Sequence, residues 1–184
     1  DFPVLIKINA FDHMKNGTTL EEAARVAGIL AGAGIDAIEV SCGVMEDGLN
    51  TIRVTRAPAA GLLNRARQTR NLPGPVRTLI RPVAGLLMKT PGPLHNYNVE
   101  AAAAIRKQVK VPVIVVGGIR RLPDMERIIR EEGADYIALA RPFIIQPDIV
   151  NRLRNGQAIE SACVSCGNCF TSILDGRVRC LRNE

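Results

Sequence analysis

The chain has 184 residues, of which 47% are hydrophobic and 3% aromatic; this composition suits one domain with a packed core and excludes a disordered protein. Its net charge of +6 comes from one stretch, since eight of the 24 lysines and arginines lie between Gly48 and Val99, where no acidic residue occurs, and this argues against a nucleic-acid-binding protein. We see neither an apolar run of the ~20 residues that a membrane-spanning helix needs nor a secretory signal peptide, so we expect a cytoplasmic protein without a transmembrane segment.

The first predicted unit is strand–helix–strand. Pro3–Ile8 (PVLIKI) is a β-branched run behind a proline, which is typical of a strand buried on both faces. A helix begins at Thr18-Thr19, where glutamates three residues later complete a capping box. The helix ends near Gly34, and Gly34–Val40 (GIDAIEV) is predicted to be the next strand.

A long basic insertion follows at Val44–Leu94. It contains six of the eleven prolines, so we expect no long helix to cross it. Three interpretations remain open: a lid that draws in a phosphorylated or carboxylated substrate, a docking surface for an acidic partner or a membrane, and a solvated loop. The insertion has no aromatic residue before Tyr97 on which bases could stack, so it is not suited to binding single-stranded nucleic acid.

The strand–helix–strand pattern then repeats. A helix over Asn98–Lys110 joins the two copies, and Pro112–Gly117 (PVIVVG) matches the first strand in composition. The next helix has Pro123 in its first turn and leads to a last strand at Gly133–Ala140 (GADYIALA).

Two such units predict a parallel sheet with α/β architecture. Four strands with helices between them are half of an eight-stranded (β/α) TIM barrel, and an open doubly wound sheet is the competing topology. We expect the half barrel, including the insertion at 44–94, to occupy residues 1–158 and a cysteine-rich extension to occupy 159–184.

Two consecutive strand ends carry residues suited to binding phosphate. In a (β/α)8 barrel, phosphate is commonly held after the last two strands, and these positions read VVGGIRR and LARPFII. Gly117 and Gly118 allow the backbone to approach an anion closely. Arg141 supplies a cation where Pro142 begins a short helix. Each feature alone is typical of a turn or a surface cation, whereas together they favour a phosphate site.

Lys7 interrupts an otherwise apolar strand. Since an unpaired buried lysine is costly, we expect its side chain to point toward the barrel mouth and to have an anionic or polar partner. The alternative is a packed stem with its amine in solvent.

Four of the five cysteines lie close together near the end of the chain, in the pattern Cys163-x2-Cys166-x2-Cys169-x10-Cys180. Tight spacing of this kind places thiolates around one ion or cluster, and four thiolates suit zinc or iron–sulfur. Disulfides are the alternative, disfavoured in a cytosolic fold. Cys42 lies at a strand end, where it either approaches a substrate pocket or is a small buried thiol.

The segments PVLIKINAFD, AGIDAIEVSCG, VPVIVVGGI and DYIALARPFIIQPDIV resemble the second half of the old yellow enzyme family of NADH:flavin oxidoreductases. This resemblance implies a TIM barrel that binds FMN, which NADH or NADPH reduces and which then passes hydride to a small-molecule substrate such as an activated alkene. It assigns Gly117, Gly118, Ala140 and Arg141 to the FMN phosphate, and Lys7 to the pyrimidine edge of the flavin.

The cysteine pattern is similar to the [4Fe–4S] motif of the 2,4-dienoyl-CoA reductase branch of that family, although the last gaps there are usually one residue longer. The resemblance also implies that the first four barrel strands, with the residues that orient the substrate and donate a proton, are absent. His13 and His95 do not lie where the substrate-orienting pair should be.

We therefore expect part of a longer protein, or a chain that pairs with a second one, inactive alone and prone to form homo-oligomers. Two alternatives stay open: a different phosphate-binding TIM-barrel enzyme, and a non-enzymatic, zinc-stabilised interaction module that uses its basic loop.

Overall fold

The computed structural model describes residues 2–44, 49–55, 57–87 and 94–182. Their strands are β1 (Leu5–Asn9), β2 (Ala37–Ser41), β3 (Val113–Val116) and β4 (Tyr136–Ala138). Their α-helices are α1 (Leu20–Gly32), α2 (Leu49–Ile52), α3 (Ala59–Arg65), α4 (Gly74–Leu87), α5 (Val99–Arg106), α6 (Leu122–Arg127), α7 (Arg141–Ile145), α8 (Ile149–Arg154) and α9 (Asn168–Ser172). No helix within these ranges is long and apolar enough to cross a membrane.

The four strands form one parallel sheet in the order β1-β2-β3-β4. One face of the sheet packs against α1 and α5, and the core there consists of strand residues such as Ile38 and Val113 against alanines of both helices. Because helices follow parallel strands that neighbour one another in chain order, the sheet is half of a (β/α)8 barrel, as predicted.

The opposite face of the sheet is uncovered, which corrects the expectation that the first strand is buried on both faces. Leu5 on β1 is 57% exposed and Tyr136 on β4 is 60% exposed. Both project from the face that lines the interior in a closed barrel. Four strands are too few to curve round and bury that face, so it stays open to solvent.

Local signals placed the ends of the first helix and of the helix after β3 correctly, whereas the helix predicted over Asn98–Lys110 ends at Arg106. The Thr19 hydroxyl caps α1 by accepting a hydrogen bond from the Glu22 amide, and the Glu22 carboxylate accepts one from the Thr19 amide, which is the predicted capping box. The predicted second helix is α6 continued by a π-helical turn, Ile128–Glu132, and it ends at Gly133 in the left-handed conformation.

The prediction that no long helix crosses the insertion is wrong, because α4 is a 14-residue helix with Pro82 inside it. Pro75 lies in its first turn, where a missing N–H has no helical partner in any case. Pro82 also lacks an N–H, but as the interior proline of α4 it removes only one helical hydrogen bond. Residues 45–48, 56 and 88–93 of the insertion lie outside the described ranges.

The insertion packs against the cysteine-rich extension. The Thr55 amide donates to the carbonyl oxygen of Ser165 (2.9 Å), and Arg65 Nε pairs with Asp175 Oδ2 (2.9 Å). Helices α3 and α9 are also in contact, and a Cβ on Gly61 would lie 2.6 Å from Thr171 Oγ1. Two segments that are far apart in the sequence thus form one packed unit.

The extension is anchored to the barrel by a short antiparallel bridge. The Ser161 amide donates to the carbonyl oxygen of Arg120 (3.0 Å), and the Leu122 amide donates to that of Ile159 (2.8 Å). The bridge places the first cysteines beside the loop that follows β3. The boundary between residues 158 and 159 stays a prediction.

Candidate functional site

The ends of β3 and β4 open into one cavity of about 370 Å³, including its mouth. The four residues that the resemblance assigned to a phosphate, Gly117, Gly118, Ala140 and Arg141, all line it. The carboxyl ends of parallel strands lie at one edge of a sheet, which is why residues more than twenty positions apart in the chain meet here.

The glycine pair is required by the packing of the loop that follows β3. Gly117 and Gly118 have φ values of 149° and 70°, which non-glycine residues rarely adopt. A Cβ on Gly118 would clash with the carbonyl oxygen of Leu94, and one on Gly117 would lie 2.7 Å from Asn98 Nδ2. Asn98 in turn holds the strand end through a 2.6 Å bond to the carbonyl oxygen of Val116.

Arg141 is held by the insertion. Its Nη1 donates to the carbonyl oxygen of Arg53 (3.1 Å). The Arg53 side chain is buried and lies over the Tyr97 ring, with Cζ 4.3 Å from the ring centroid. Tyr97 lines the cavity, and its burial raises the pKa of the phenol, so this group stays protonated at neutral pH.

A second arginine, Arg120, also lines the cavity. Its Nη1 donates to the carbonyl oxygen of Cys163, so the extension closes over it. Burial lowers the pKa of this guanidinium, although the group remains protonated in proteins. None of the described residues that line the cavity is acidic, so its charge is positive.

Lys7 lies apart from these residues and is not among those that line the cavity. Its Nζ donates to Glu39 Oε1 at 2.7 Å, on the uncovered face of the sheet. The pair follows from the register, since Lys7 on β1 is opposite Glu39 on β2. Glu39 is an acidic partner for Lys7, but the Lys7 side chain is 55% exposed, so the premise that this lysine is buried is wrong.

The four cysteines of the extension line one pocket of about 340 Å³, together with Arg141. None of the five cysteines of the chain forms a disulfide, and Cys42 is buried. Burial raises the pKa of the Cys169 thiol, and the neighbouring Cys163 and Cys166 act in the same direction.

Within the described ranges, no group of three or more His, Cys, Asp or Glu residues is arranged so that it could hold a metal ion. The fold thus brings the four thiols to one pocket without placing their sulfur atoms in a coordination sphere.

Four residues near these features were not identified from the sequence: Glu39, Tyr97, Arg120 and Ser165. Glu39 carries a usable signal, because it is a lone carboxylate in an apolar strand, as Lys7 is a lone amine. Arg120 directly follows the GGI segment and could have been included with it. Tyr97 and Ser165 reach the cavity only through packing, which no local pattern reveals.

Comparison with known proteins gives a consistent result. Residues 83–160 match the NADH:flavin oxidoreductase / NADH oxidase family, and this range contains all four predicted phosphate ligands. An NADH oxidase from Thermoanaerobacter brockii is 28% identical over 190 residues, covering 100% of this chain and 23% of the relative.

Two further relatives align over shorter ranges. A 4,4'-dithiodibutanoate disulfide reductase from Rhodococcus erythropolis is 30% identical over 80 residues, covering 44% of this chain and 19% of the relative. An NADH-dependent flavin oxidoreductase iliE from a Neonectria species is 29% identical over 147 residues, covering 79% of this chain and 16% of the relative. The chain spans less than a quarter of the length of these relatives. On its sheet topology, the family match and these alignments, the chain is similar to proteins of the NADH:flavin oxidoreductase / NADH oxidase family.

Proposed function

We propose that this chain forms the FMN-phosphate half of the barrel of an NADH- or NADPH-dependent flavin oxidoreductase. The observation that carries this proposal is the cavity at the ends of β3 and β4, because the four residues assigned to the phosphate line it together. The relatives named NADH oxidase and NADH-dependent flavin oxidoreductase support NADH as the reductant. When bound, FMN would accept hydride from the nicotinamide and pass it to a small-molecule substrate.

The cavity fits a phosphate monoester. Arg141 supplies a guanidinium whose orientation is set by its bond to the Arg53 carbonyl. Arg120 adds a second positive charge, and no described residue of the lining carries a negative one. Gly117 and Gly118 carry no side chain, so the backbone of this loop lines the cavity directly.

Lys7 is proposed to face the pyrimidine edge of the flavin. It projects from the sheet face that lines the interior of a closed barrel, where the reactive ring of a cofactor would lie. Its ammonium would stabilise negative charge that develops on the ring, and Glu39 would hold the amine in place.

The phosphate assignment is tested by comparing FMN with riboflavin, which lacks the phosphate. Arg141→Gln removes a charge-assisted contact, so we expect FMN to bind about tenfold or more weakly, with riboflavin affinity unchanged. Flavin fluorescence quenching in the intact protein measures both constants. Arg152→Gln is the control, since Arg152 pairs with Asp148 on the surface of α8. Equal binding of FMN and riboflavin by the unmodified protein would rule the phosphate site out.

We further propose that Cys163, Cys166, Cys169 and Cys180 hold a [4Fe–4S] cluster or a zinc ion. The support is their meeting in one pocket and the preference of four thiolates for these metals. Small movements of the side chains would have to bring the sulfur atoms into a coordination sphere.

An absorption spectrum and a metal assay on protein purified without oxygen decide between the two metals. Broad thiolate-to-iron bands with several irons per chain indicate a cluster, and a colourless protein with about one zinc indicates a structural site. We expect Cys166→Ser to abolish metal retention, whereas Cys42→Ser should leave it unchanged. Metal-free protein from an anaerobic preparation would contradict the proposal.

A further inference from the structure

Two buried polar side chains in the wall of the cavity have unsatisfied groups. Arg120 is 8% exposed and Ser165 is 1% exposed. Arg120 Nη2 and Ser165 Oγ make no hydrogen bond to any described residue. Buried donors without partners are rare in folded proteins, because each has lost its bonds to water. A ligand that accepts hydrogen bonds would satisfy both.

The fold holds Arg120 in a position from which only part of its guanidinium is used. Its backbone belongs to the bridge with the extension, through the bond from the Ser161 amide. Its Nη1 donates to the carbonyl oxygen of Cys163. These contacts leave Nη2 without a partner in the wall of a cavity that Arg141 also lines, and the charge of Arg141 acts unfavourably on Arg120. An anion between the two would replace this repulsion by attraction.

Ser165 is held just as firmly. Both the amide and the hydroxyl of Thr55 donate to its carbonyl oxygen, at 2.9 Å and 3.3 Å. Its φ of 52° is left-handed, a conformation that costs a non-glycine residue free energy. The insertion therefore clamps Ser165 in a strained conformation at the point where the extension meets the cavity.

We propose that Arg120 and Ser165 are further phosphate ligands, so that the cysteine-rich extension forms one wall of the FMN phosphate site. Arg120 Nη2 and Ser165 Oγ would each donate to a phosphate oxygen, in addition to the contacts from Arg141 and the glycine loop. Two guanidiniums then balance the charge of a phosphate monoester dianion. This assignment rests on the FMN-binding function proposed above, and it makes flavin affinity depend on a segment outside the barrel.

The test is the ratio of riboflavin to FMN dissociation constants in the intact protein and its variants, measured by fluorescence quenching. We expect Arg120→Gln to weaken FMN binding about tenfold or more, because it removes a charge-assisted contact, and to leave riboflavin binding unchanged. Arg120→Lys keeps the positive charge, so its affinity for FMN should lie between that of the unmodified protein and that of Arg120→Gln. Arg121→Gln is the matched control, since the neighbouring Arg121 is exposed and lies beside Glu160.

Ser165→Gly provides an independent variant that relieves the backbone strain while it removes the hydroxyl. We expect FMN to bind it a few-fold more weakly, with riboflavin unaffected. If Arg120→Gln fails to bind riboflavin, it has misfolded, and Ser165→Gly then decides. Inorganic phosphate should compete with FMN in the unmodified protein and more weakly in this variant.

The outcomes separate the two proposals. If the unmodified protein binds riboflavin as tightly as FMN, the phosphate site itself is wrong. If FMN is preferred and Arg141→Gln removes the preference, but Arg120→Gln and Ser165→Gly keep it, then only the role of Arg120 and Ser165 is wrong.

Discussion

Lys7 and Glu39 form an ion pair on the uncovered face of the sheet. The Lys7 side chain is 55% exposed and that of Glu39 is 27% exposed. An ion pair this accessible contributes at most about 1 kcal/mol to stability, because water and salt screen it. The pair therefore contributes little to stability, and its main effect is to place a positive and a negative charge at known positions on the uncovered face of the sheet.

If FMN binds beside this pair, the two charges should shift its reduction potential in opposite directions. Lys7→Gln removes a cation that favours the reduced, negatively charged ring, so we expect a more negative potential. Glu39→Gln removes an anion, so we expect a more positive one. Each shift should be on the order of 30 mV, equivalent to about 1.4 kcal/mol for two electrons.

Spectroelectrochemical titration of the flavin-loaded protein measures these potentials. Lys15→Gln, at an exposed loop position, is the control for loss of one positive charge. Equal potentials in all three variants and the unmodified protein would show that the pair lies away from the flavin.

At the scale of elements, the Asp135 side chain links α5 to the start of β3. It accepts hydrogen bonds from Arg106 Nε on α5 (2.8 Å), from Arg106 Nη2 (3.2 Å) and from the amide of Val113 at the start of β3 (2.8 Å). Burial acts to raise the pKa of this carboxyl, but the bonds from Val113 and Arg106 outweigh it and lower the pKa overall.

A lowered pKa in the folded state predicts how stability depends on pH. The contribution of Asp135 is present above the unfolded-state pKa of about 3.9 and is lost as the pH falls through the lower folded-state value. At neutral pH, Asp135→Asn should reduce the free energy of unfolding by about 1 kcal/mol, discounted because Arg106 is partly exposed. The difference in the free energy of unfolding between Asp135→Asn and the unmodified protein should become smaller at acid pH.

Urea unfolding of both proteins between neutral and acid pH tests this prediction. Glu131→Gln removes an exposed carboxylate of the π-helical turn Ile128–Glu132, which precedes Asp135 in the chain, and serves as the control. A destabilisation by Asp135→Asn that is the same at every pH would show that the carboxylate charge plays no part.

For the whole molecule, the open sheet is the dominant feature. One face is covered by α1 and α5, whereas the other exposes apolar side chains, including Leu5 and Tyr136. Exposed apolar side chains on an uncovered sheet face usually mark an interface with another protein surface. In a closed barrel, the same face would be packed with side chains from the remaining strands.

We therefore expect the 184-residue chain, produced by itself, to self-associate through this face. Sedimentation velocity over a range of concentrations should show species larger than 19.9 kDa. Changing Leu5 and Tyr136 to serine should shift the distribution toward smaller species, because it removes apolar area from the contact. Val178→Ser, at an exposed position of the extension, should not. A stable monomer at all concentrations would contradict this expectation.

Much of the fold could be predicted because its signals are local. The capping box at Thr19, the β-branched runs and the glycines that end helices each act within a few residues. The meeting of the β3 and β4 ends at one cavity follows from the same pattern, since parallel strands bring their carboxyl ends to one edge. The number of prolines in the insertion led to the wrong prediction that no long helix crosses it. A helix tolerates proline in its first turn, and α4 also tolerates the loss of one interior hydrogen bond at Pro82.

The sequence by itself therefore determined the half barrel, its helix caps and the glycines and arginine at the ends of β3 and β4. Only the tertiary structure decided that Glu39 pairs with Lys7, that Arg120 and Ser165 enter the cavity, and that the insertion packs on the cysteine-rich extension. The physical reason is sequence separation. Thr55 and Ser165 are 110 residues apart, and such contacts depend on how whole elements pack, which no local pattern of residues encodes.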